Sequence, residues 1–225
     1  MKNPSFLSIV AWIFRGKSVT RAMMNAWLAA RPGTIAGTVC DLGGAGRASF
    51  TRVVRLPDGY FTVDAMAEAR PDIVANIEQD LPIADGVADT VLLLNTLEHV
   101  YGFQHVANEM ARITRRGGRA LIYVPFMVGV HTHRGASFHI DDFFRYTRSS
   151  LDRLLREAGF SAITITPLGG LGWVIADLAM VAARFRIVGV PLALICGGLE
   201  RLTARFRNFD SAERYPLGYM VEATR

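Results

Sequence analysis

The sequence predicts an α/β fold whose mostly parallel sheet carries helices on both faces. Short apolar segments typical of buried strands alternate with segments whose apolar residues recur at helical spacing. The segment ADTVLLLN, residues 88–95, has the apolar run expected of a strand that is covered on both faces. A glycine-rich turn follows the first predicted strand, at the edge where sheets of this kind bind ligands.

The N-terminal region predicts a helix over residues 5–30 that ends before Pro32 and Gly33. It has no small-residue cleavage site of a signal peptide, and its apolar stretch from Phe6 to Phe14 is too short to cross a bilayer. Two interpretations stay open. The helix either packs on the domain or lies on a membrane surface.

The remaining elements are predicted from the period of the apolar residues. Strands are expected at 37–42, 59–64, 72–77, 88–95, 119–126, 161–167 and 217–223. A helix at 102–115 should end at Gly117 and Gly118, and a helix at 148–158 should begin after Thr147 and end at Gly159. Between the last two strands, residues 168–214 are first glycine-rich, then strongly apolar and then arginine-rich.

The composition indicates one folded domain, or one domain with an addition. The 225 residues are 51% hydrophobic, which is enough for a sizeable core. Both cysteines, Cys40 and Cys196, lie in apolar segments, which excludes a disulfide scaffold and fits a reducing cytoplasm. The net charge of +5 comes from scattered arginines without interleaved aromatic residues, so we do not expect nucleic-acid binding.

The stretch VCDLGGAGR, residues 39–47, combines a strand, an acid and a glycine turn. It is an imperfect dinucleotide fingerprint, because Ala45 and Ala48 occupy two of the glycine positions. Asp41 would repel a pyrophosphate but could accept hydrogen bonds from a cationic, amine-bearing ligand. Asp64 ends the next strand, where an acid can accept both ribose hydroxyls. This pattern favours a positively charged adenosine such as S-adenosylmethionine over a nicotinamide dinucleotide.

Five motifs follow one another in the order seen in class I S-adenosylmethionine-dependent methyltransferases. They are VCDLGGAGR, YFTVD, DLPIADGVADTVLLLNTLEHV, EMARITRRGGRALIYVPF and DDFFRYTRSSLDRLLREAGF. Over about residues 37–167 the chain resembles this family, and especially its broad bacterial group described as methyltransferase type 11-like. The resemblance implies a Rossmann-like, doubly wound sheet of seven strands with an antiparallel last strand, and this chain departs from the family by a helical insertion before that strand. It also implies an enzyme that uses S-adenosylmethionine as its methyl donor.

The resemblance also implies which residues bind the cofactor. They are Asp41, Gly43, Gly44 and Gly46 for the methionine part, Asp64 for the ribose, Asp80 and Leu81 for the adenine, and Asn95 for the methionine end. Ala45 and Arg47 stand where the family often has glycines, which leaves the path of the turn open. In the alternative interpretation the glycines form a plain turn and the acids are N-caps or surface groups.

The loop at residues 127–147 leaves the carboxyl end of the sheet and is rich in histidine. In one interpretation, His133, His139 and Asp142 align a hydroxyl acceptor and remove its proton. In a second, Arg145 pairs with Asp142 and Tyr146 packs under the sheet, so the loop is only anchored. Metal binding is a third interpretation, for which the residue types are His131, His133, His139, Asp141 and Asp142.

No spacing in this loop matches an established metal site, so we predict no metal. Glu98 and His99 follow the fourth strand, and they either orient one another near the cofactor or form an exposed helix start.

The sequence and the extent of the resemblance together divide the chain into four parts. They are an N-terminal helical segment (1–36), an S-adenosylmethionine-binding core (37–167), an apolar helical insertion (168–214) and the final strand (215–225). Arg184 and Arg186 separate two apolar halves of the insertion, and neither half is long enough to span a membrane. We expect the insertion to cover the substrate pocket, to form a homodimer surface or to rest on a membrane.

Related sequences often act in cell-envelope saccharide or lipid-linked pathways. The resemblance therefore implies a hydroxyl or similar nucleophile on a small-molecule, saccharide or lipid-linked substrate. We expect a cytoplasmic protein. Peripheral contact with the inner face of the membrane is a further hypothesis. Two alternatives remain, a nicotinamide-dependent oxidoreductase and a non-catalytic methyltransferase-like binding or assembly subunit. Asp41 and the poor glycine fingerprint argue against the first, and an unreactive pocket beside an intact cofactor motif would mark the second.

Overall fold

A computed structural model describes residues 4–44, 49–52, 54–134, 139–182, 186–203 and 211–225. The chain forms two compact units, which are treated separately. The larger unit comprises residues 33–124, 130–166 and 220–225, and it contains most of the sheet. The smaller unit comprises residues 1–32, 125–129 and 167–219, and it is mainly helical.

The strands form one large sheet and one small sheet. In chain order they are β1 (Val39–Leu42), β2 (Tyr60–Asp64), β3 (Ile73–Val74), β4 (Ala88–Leu94), β5 (Thr114–Pro125), β6 (His133–Arg134), β7 (His139–Ile140), β8 (Ser161–Leu168) and β9 (Gly218–Thr224). The large sheet has seven strands in the order β3-β2-β1-β4-β5-β9-β8, and β6 pairs only with β7. Strands β1 to β5 are parallel, and the strand order reverses between β1 and β4. Such a reversal places the ends of β1 and β4 where ligands bind.

Strand β9 runs antiparallel to β5. The Gly117 N–H near the start of β5 donates to the Arg225 carbonyl just beyond β9, at 2.9 Å. The Phe126 N–H just beyond β5 donates to the Leu217 carbonyl just before β9, at 2.7 Å. The predicted seven-stranded, mostly parallel sheet with an antiparallel last strand is therefore confirmed.

Seven helices are described. They are α1 (Phe6–Phe14), α2 (Val19–Ala29), α3 (Phe103–Ile113), α4 (Arg148–Glu157), α5 (Leu171–Ala182), α6 (Arg186–Thr203) and α7 (Ser211–Arg214). Helix α4 has the predicted caps, because the Thr147 hydroxyl accepts from the Ser150 N–H at 3.2 Å and Gly159 has a φ of 96°.

Two predicted element boundaries were wrong. Helix α3 ends at Ile113, and Gly117 and Gly118 lie inside β5, next to an irregularity in its pairing with β4. Gly117 has a φ of 75°, so it accommodates the irregularity within a strand that continues past it. The predicted helix over residues 5–30 is two helices, because Gly16 has a φ of 88° and the Ser18 side chain caps α2.

The smaller unit is held together by close contacts between its helices. A Cβ atom at Gly197 in α6 would lie 2.7 Å from the Trp173 ring in α5, so only glycine fits there. The same ring contacts Phe6 at the start of α1, with ring centroids 5.7 Å apart. Gly172 donates its N–H to the Glu200 carboxylate at 2.8 Å, which ties the start of α5 to α6.

Helices α5 and α6 also expose an apolar stripe. Its residues recur at helical spacing and are Leu171, Ile175, Leu178 and Val181 in α5, and Leu192, Ile195, Leu199 and Leu202 in α6. Each of these side chains is at least 40% exposed. No helix in the described part of the chain combines the length and the apolar composition that crossing a bilayer requires.

Candidate functional site

The glycine turn follows β1 and folds closely over the strand end. Gly43 has a φ of 74°, and its N–H donates to the Val63 carbonyl in β2 at 2.7 Å. A Cβ atom at Gly43 would overlap Thr96, and one at Gly44 would overlap the carboxylate of Asp41. The turn therefore requires glycine at both positions, and the close approach of a ligand to its backbone stays a prediction. Gly46 lies outside the described residues.

Asp41 is buried directly beneath this turn. Its side chain accepts a hydrogen bond from the Tyr60 hydroxyl at 2.6 Å, and the residue is only 1% exposed. Burial raises the pKa of Asp41, the bond from Tyr60 lowers it and the nearby Asp64 charge raises it, with a net value of about 7. The carboxylate is therefore poised to gain a cationic partner.

Asp64 lies at the same edge of the sheet, at the end of β2. It is 9% exposed, and its Oδ1 atom accepts from the Met66 N–H at 2.9 Å. Leu42 and Val63 are partners in the pairing of β1 with β2, so Asp64 lies beside the glycine turn. This placement fits an acid that accepts ribose hydroxyls.

Asp80 and Leu81 precede β4 and are anchored by α3. The Leu81 N–H donates to Glu109 Oε2 at 2.8 Å, and Arg112 donates to the Leu81 carbonyl at 3.2 Å. The hydrogen bond from Arg112 lowers the pKa of Glu109 despite burial, which keeps this anchor charged. The Leu81 side chain is buried, whereas the Asp80 side chain is 95% exposed and lies 3.5 Å from the ring of His105.

Asn95 follows the end of β4 in a left-handed conformation. Its φ is 55°, a value that asparagine adopts more readily than most residues, and its N–H donates to the Tyr123 carbonyl at 3.0 Å. The next residue, Thr96, contacts Gly43. Asn95 thus lies at the carboxyl edge of the sheet, close to the glycine turn, and its contact with the methionine end of the cofactor stays a prediction.

Two acids and two histidines form a group in which Glu98 and His99, shortly after Thr96 in the chain, meet His131 and Asp142 of the later loop. Glu98 Oε1 is 3.8 Å from His99 Nε2 and 3.6 Å from His131 Nε2. On the far side of these rings, His99 Nδ1 lies 2.7 Å from the Asp141 carbonyl oxygen, and His131 Nδ1 lies 3.2 Å from Asp142 Oδ2. We call Glu98, His99, His131 and Asp142 the histidine cluster.

Asp142 is fixed within this cluster by charged hydrogen bonds. Arg145 donates to both of its oxygens, at 2.6 Å to Oδ2, and the His131 N–H donates to Oδ2 at 2.9 Å. Burial raises the pKa of Asp142, but the bonds from Arg145 and from the His131 N–H outweigh it and bring the pKa to about 2. The ion pair expected between Arg145 and Asp142 is present, and Asp142 is held as a carboxylate.

The loop that carries Asp142 docks onto the segment after β4. The Phe143 N–H donates to the Glu98 carbonyl at 2.8 Å, and the Tyr146 hydroxyl donates to the Leu97 carbonyl at 3.3 Å. Tyr146 is buried, and burial followed by the Glu98 charge raises its pKa. Tyr146 therefore anchors the loop through a neutral hydroxyl.

The other two histidines of the loop belong to the small sheet. His133 pairs with Ile140, and His139 pairs with Arg134, so the backbone of each histidine is placed. Their side chains lie outside the described residues, and their catalytic role stays a prediction.

Sequence reasoning missed three parts of this site. Tyr60, the hydroxyl partner of Asp41, gave no signal beyond its place in a strand. The contacts of Glu109 and Arg112 with Leu81 were also missed, because the two residues are spaced like an ordinary pair of charges on a helix surface. The contact between Glu98 and His131 was also missed, although β4 and β5 are neighbours, so the loops that leave their carboxyl ends meet at one edge.

These residues fit the cofactor that the motifs imply. The carboxylate of Asp41 lies against Gly44, at a distance that a Cβ atom would not allow. The missing side chain leaves space for a small cationic group to approach the backbone. Asp64 presents a second carboxylate beside the turn. Asn95 lies at the same carboxyl edge of the sheet, just after β4. Asp41 and the turn would hold the amino acid part, and Asp64 the ribose.

Comparisons with known proteins agree with this geometry. The methyltransferase domain family of type 11 matches residues 44–122. An uncharacterized methyltransferase from Mycobacterium sp. (strain JLS) is 31% identical over 182 residues, which cover 73% of this chain and 71% of the relative.

Two solved structures share the fold. A SAM-dependent methyltransferase from Archaeoglobus fulgidus has a TM-score of 0.57 at 14% identity, over 98% of this chain and 100% of that one. Phosphoethanolamine N-methyltransferase 2 from Haemonchus contortus, in complex with S-adenosyl-L-methionine, has a TM-score of 0.53 at 12% identity, over 96% of this chain and 56% of that one. The comparisons favour methyl transfer over the oxidoreductase alternative. The chain belongs to the class I S-adenosylmethionine-dependent methyltransferases, within the type 11-like group.

Proposed function

We propose that this methyltransferase acts on a hydroxyl group of a saccharide or lipid-linked acceptor. The observation that carries the proposal is the histidine cluster, whose Glu98 and His99 come two and three residues after Thr96, the residue that lies against Gly43. A hydroxyl is a weak nucleophile, and its methylation requires that a proton be removed as the bond forms. A group of imidazoles and carboxylates beside the cofactor site suits that task.

Bound S-adenosylmethionine supplies an electrophilic methyl group on a positively charged sulfur. Asp41 and the glycine turn would hold the amino acid part and Asp64 the ribose, which would supply the methyl group at the carboxyl edge of the sheet. The acceptor oxygen loses its proton to the histidine cluster or to water. A carbon–oxygen bond forms as the carbon–sulfur bond breaks, and the sulfur keeps the electron pair.

Asp142 has a positioning role in this proposal. Its side chain is fully buried and is bound by Arg145 and by the His131 N–H. It therefore acts through His131, whose ring it contacts at 3.2 Å. His133 and His139 stay candidates for direct contact with the acceptor, since their strands belong to the same loop.

The apolar stripe on α5 and α6 supports the lipid-linked part of the proposal. Its eight side chains are exposed on two adjacent helices of the smaller unit. Arg201, near the end of α6, is exposed as well and can meet an anionic headgroup. An apolar stripe with basic residues is the composition of a surface that rests on a membrane, where lipid-linked acceptors are found.

The proposal is tested by labelling extracts with radioactive methyl groups. The purified enzyme and S-adenosyl-[methyl-¹⁴C]methionine are incubated with a mycobacterial lipid extract and, separately, with a soluble glycan extract, because the curated relatives are mycobacterial. Methyl ethers formed on hydroxyl groups survive mild alkali, whereas methyl esters release labelled methanol. Alkali-stable label on a saccharide supports the proposal. Label only on esters, or only on amines, overturns it.

A further inference from the structure

Glu98 is a buried acid without a hydrogen-bond donor. Its side chain has no exposed surface, and within the described part of the chain no donor reaches either carboxylate oxygen. A buried carboxylate in this situation is strongly destabilising unless a cation or a proton compensates it. Ring nitrogens of His99 and His131 face it at 3.8 Å and 3.6 Å, and the positive charge of Arg145 also acts on it.

Both histidines present the same ring nitrogen to Glu98. The Nε2 atoms lie 3.8 Å and 3.6 Å from Glu98 Oε1, and the rings meet edge to face with centroids 5.0 Å apart. The three ligand atoms, one from each residue, all lie within 4.8 Å of one another. This spacing suits three atoms around one ion, with a modest contraction toward it.

The opposite ring nitrogens are held by oxygen atoms. His99 Nδ1 lies 2.7 Å from the Asp141 carbonyl, which can only accept, so the geometry assigns the hydrogen to Nδ1 and leaves a lone pair on Nε2. His131 Nδ1 faces the carboxylate of Asp142 at 3.2 Å, with the same consequence. Metal-binding histidines almost always have such partners, which fix the ring and make it a better ligand.

Two imidazole lone pairs therefore converge on a buried carboxylate. We propose that Glu98, His99 and His131 bind a divalent first-row transition-metal ion. The donor set of two nitrogens and one oxygen favours an ion such as Mn²⁺, Co²⁺ or Zn²⁺ over Mg²⁺ or Ca²⁺, which prefer oxygen donors. The His131 side chain is 35% exposed, so the site is open on one side to water or to an acceptor oxygen.

The role of the ion rests on the proposed function, whereas its binding does not. A divalent ion lowers the pKa of a hydroxyl group bound to it, which makes deprotonation feasible near neutral pH. The ion would thus prepare the acceptor hydroxyl next to the methyl donor, and because both imidazoles would then hold the ion, the hydroxyl proton would leave to water. The expectation of no metal, drawn from the spacing within the loop, considered only residues 127–147 and left out Glu98 and His99.

A second group, Asp80, His105 and Glu109, is less suited to hold an ion. Its ligand atoms are also close enough together. However, Glu109 already accepts hydrogen bonds from the Leu81 N–H and from Arg112, and the Asp80 side chain is 95% exposed. This group provides a matched control, because a histidine can be changed there without touching the proposed site.

The test is a calorimetric titration of the chelator-treated protein with Co²⁺, followed by the visible absorption of the bound ion. Wild-type protein should bind one equivalent, with the absorption bands of Co²⁺ held by nitrogen and oxygen. Glu98→Gln should weaken binding by about 100-fold or more, and Asp142→Asn by about 10–100-fold. His105→Gln should leave the affinity within about twofold of the wild type.

Binding of S-adenosylhomocysteine, measured on every variant, shows whether each one is folded. The proposal is overturned if wild-type protein binds no Co²⁺ above the background of a surface site, or if a folded Glu98→Gln variant binds it as tightly. Should Glu98→Gln not fold, the wild-type titration and His131→Gln decide in the same way. If Co²⁺ binds as expected but no hydroxyl acceptor is methylated, the metal site stands and the proposed function fails.

Discussion

If Asp41 holds the ammonium group of the cofactor, as proposed, the affinity for the cofactor should depend on pH by an amount that can be calculated. In the free protein its pKa is about 7, chiefly because the side chain is buried. The ammonium group of the cofactor favours the carboxylate, so below pH 7 a proton must leave Asp41 when the cofactor binds. The affinity then falls by about tenfold, or ~1.4 kcal/mol, for each pH unit below the pKa. From pH 7.5 to pH 6.0 the expected loss is about eightfold.

Isothermal titration calorimetry with S-adenosylmethionine measures both the affinity and the proton. At pH 6.0, titrations in two buffers with different heats of ionisation should report release of about 0.9 proton. Tyr60→Phe removes the hydrogen bond that lowers the pKa of Asp41, so the pH dependence should move to higher pH. Asp41→Asn should bind more weakly and without this dependence. An Asp41→Asn variant that keeps the wild-type pH slope would refute the reasoning, since another group would then be releasing the proton.

Three further outcomes are expected. Gly44→Ala should abolish measurable S-adenosylhomocysteine binding in calorimetry, because the added Cβ overlaps Asp41; binding within about threefold of the wild type would contradict the described turn. Asp64→Ala should weaken the same ligand by about 1.5–3 kcal/mol through lost ribose hydrogen bonds, and unchanged affinity would remove Asp64 from the site. The protein should float with anionic vesicles in low salt and detach as salt rises, whereas a soluble dimer in light scattering would identify the apolar stripe as a subunit interface.

The sheet could be predicted because its strands are short apolar segments separated by clear turn signals. Both ends of α4 were predicted correctly, because Thr147 before its start and Gly159 after its end are local capping signals. The break between α1 and α2 was not predicted, because apolar segments lie on both sides of the short polar stretch at residues 15–18 and together resemble one helix. The end of α3 was misplaced, because glycines that usually end a helix here lie inside an irregular strand.

The site was predictable where its residues are near in sequence and not where they are distant. Asp41, Gly43 and Asp64 lie at or just after the ends of two strands that are neighbours in the sheet, so parallel pairing brings them together. Glu98 and His131 belong to different loops, and their contact depends on how residues 141–147 dock onto the segment after β4. The burial of Glu98 could not be inferred either, because an acid at a helix start is usually exposed.

The position of β9 also has a consequence for how the protein folds. In the sheet β9 lies between β5 and β8, yet in the chain it comes after both, and α5, α6 and α7 are inserted before it. Strand β8 therefore has no neighbour in the sheet until β9 has joined β5. Before that long-range step the free edges of β5 and β8 are open to pairing with other chains, so we expect any delay in closing the sheet to favour aggregation. Destabilising changes in β9 should thus lower the yield of folded protein out of proportion to their effect on the finished structure.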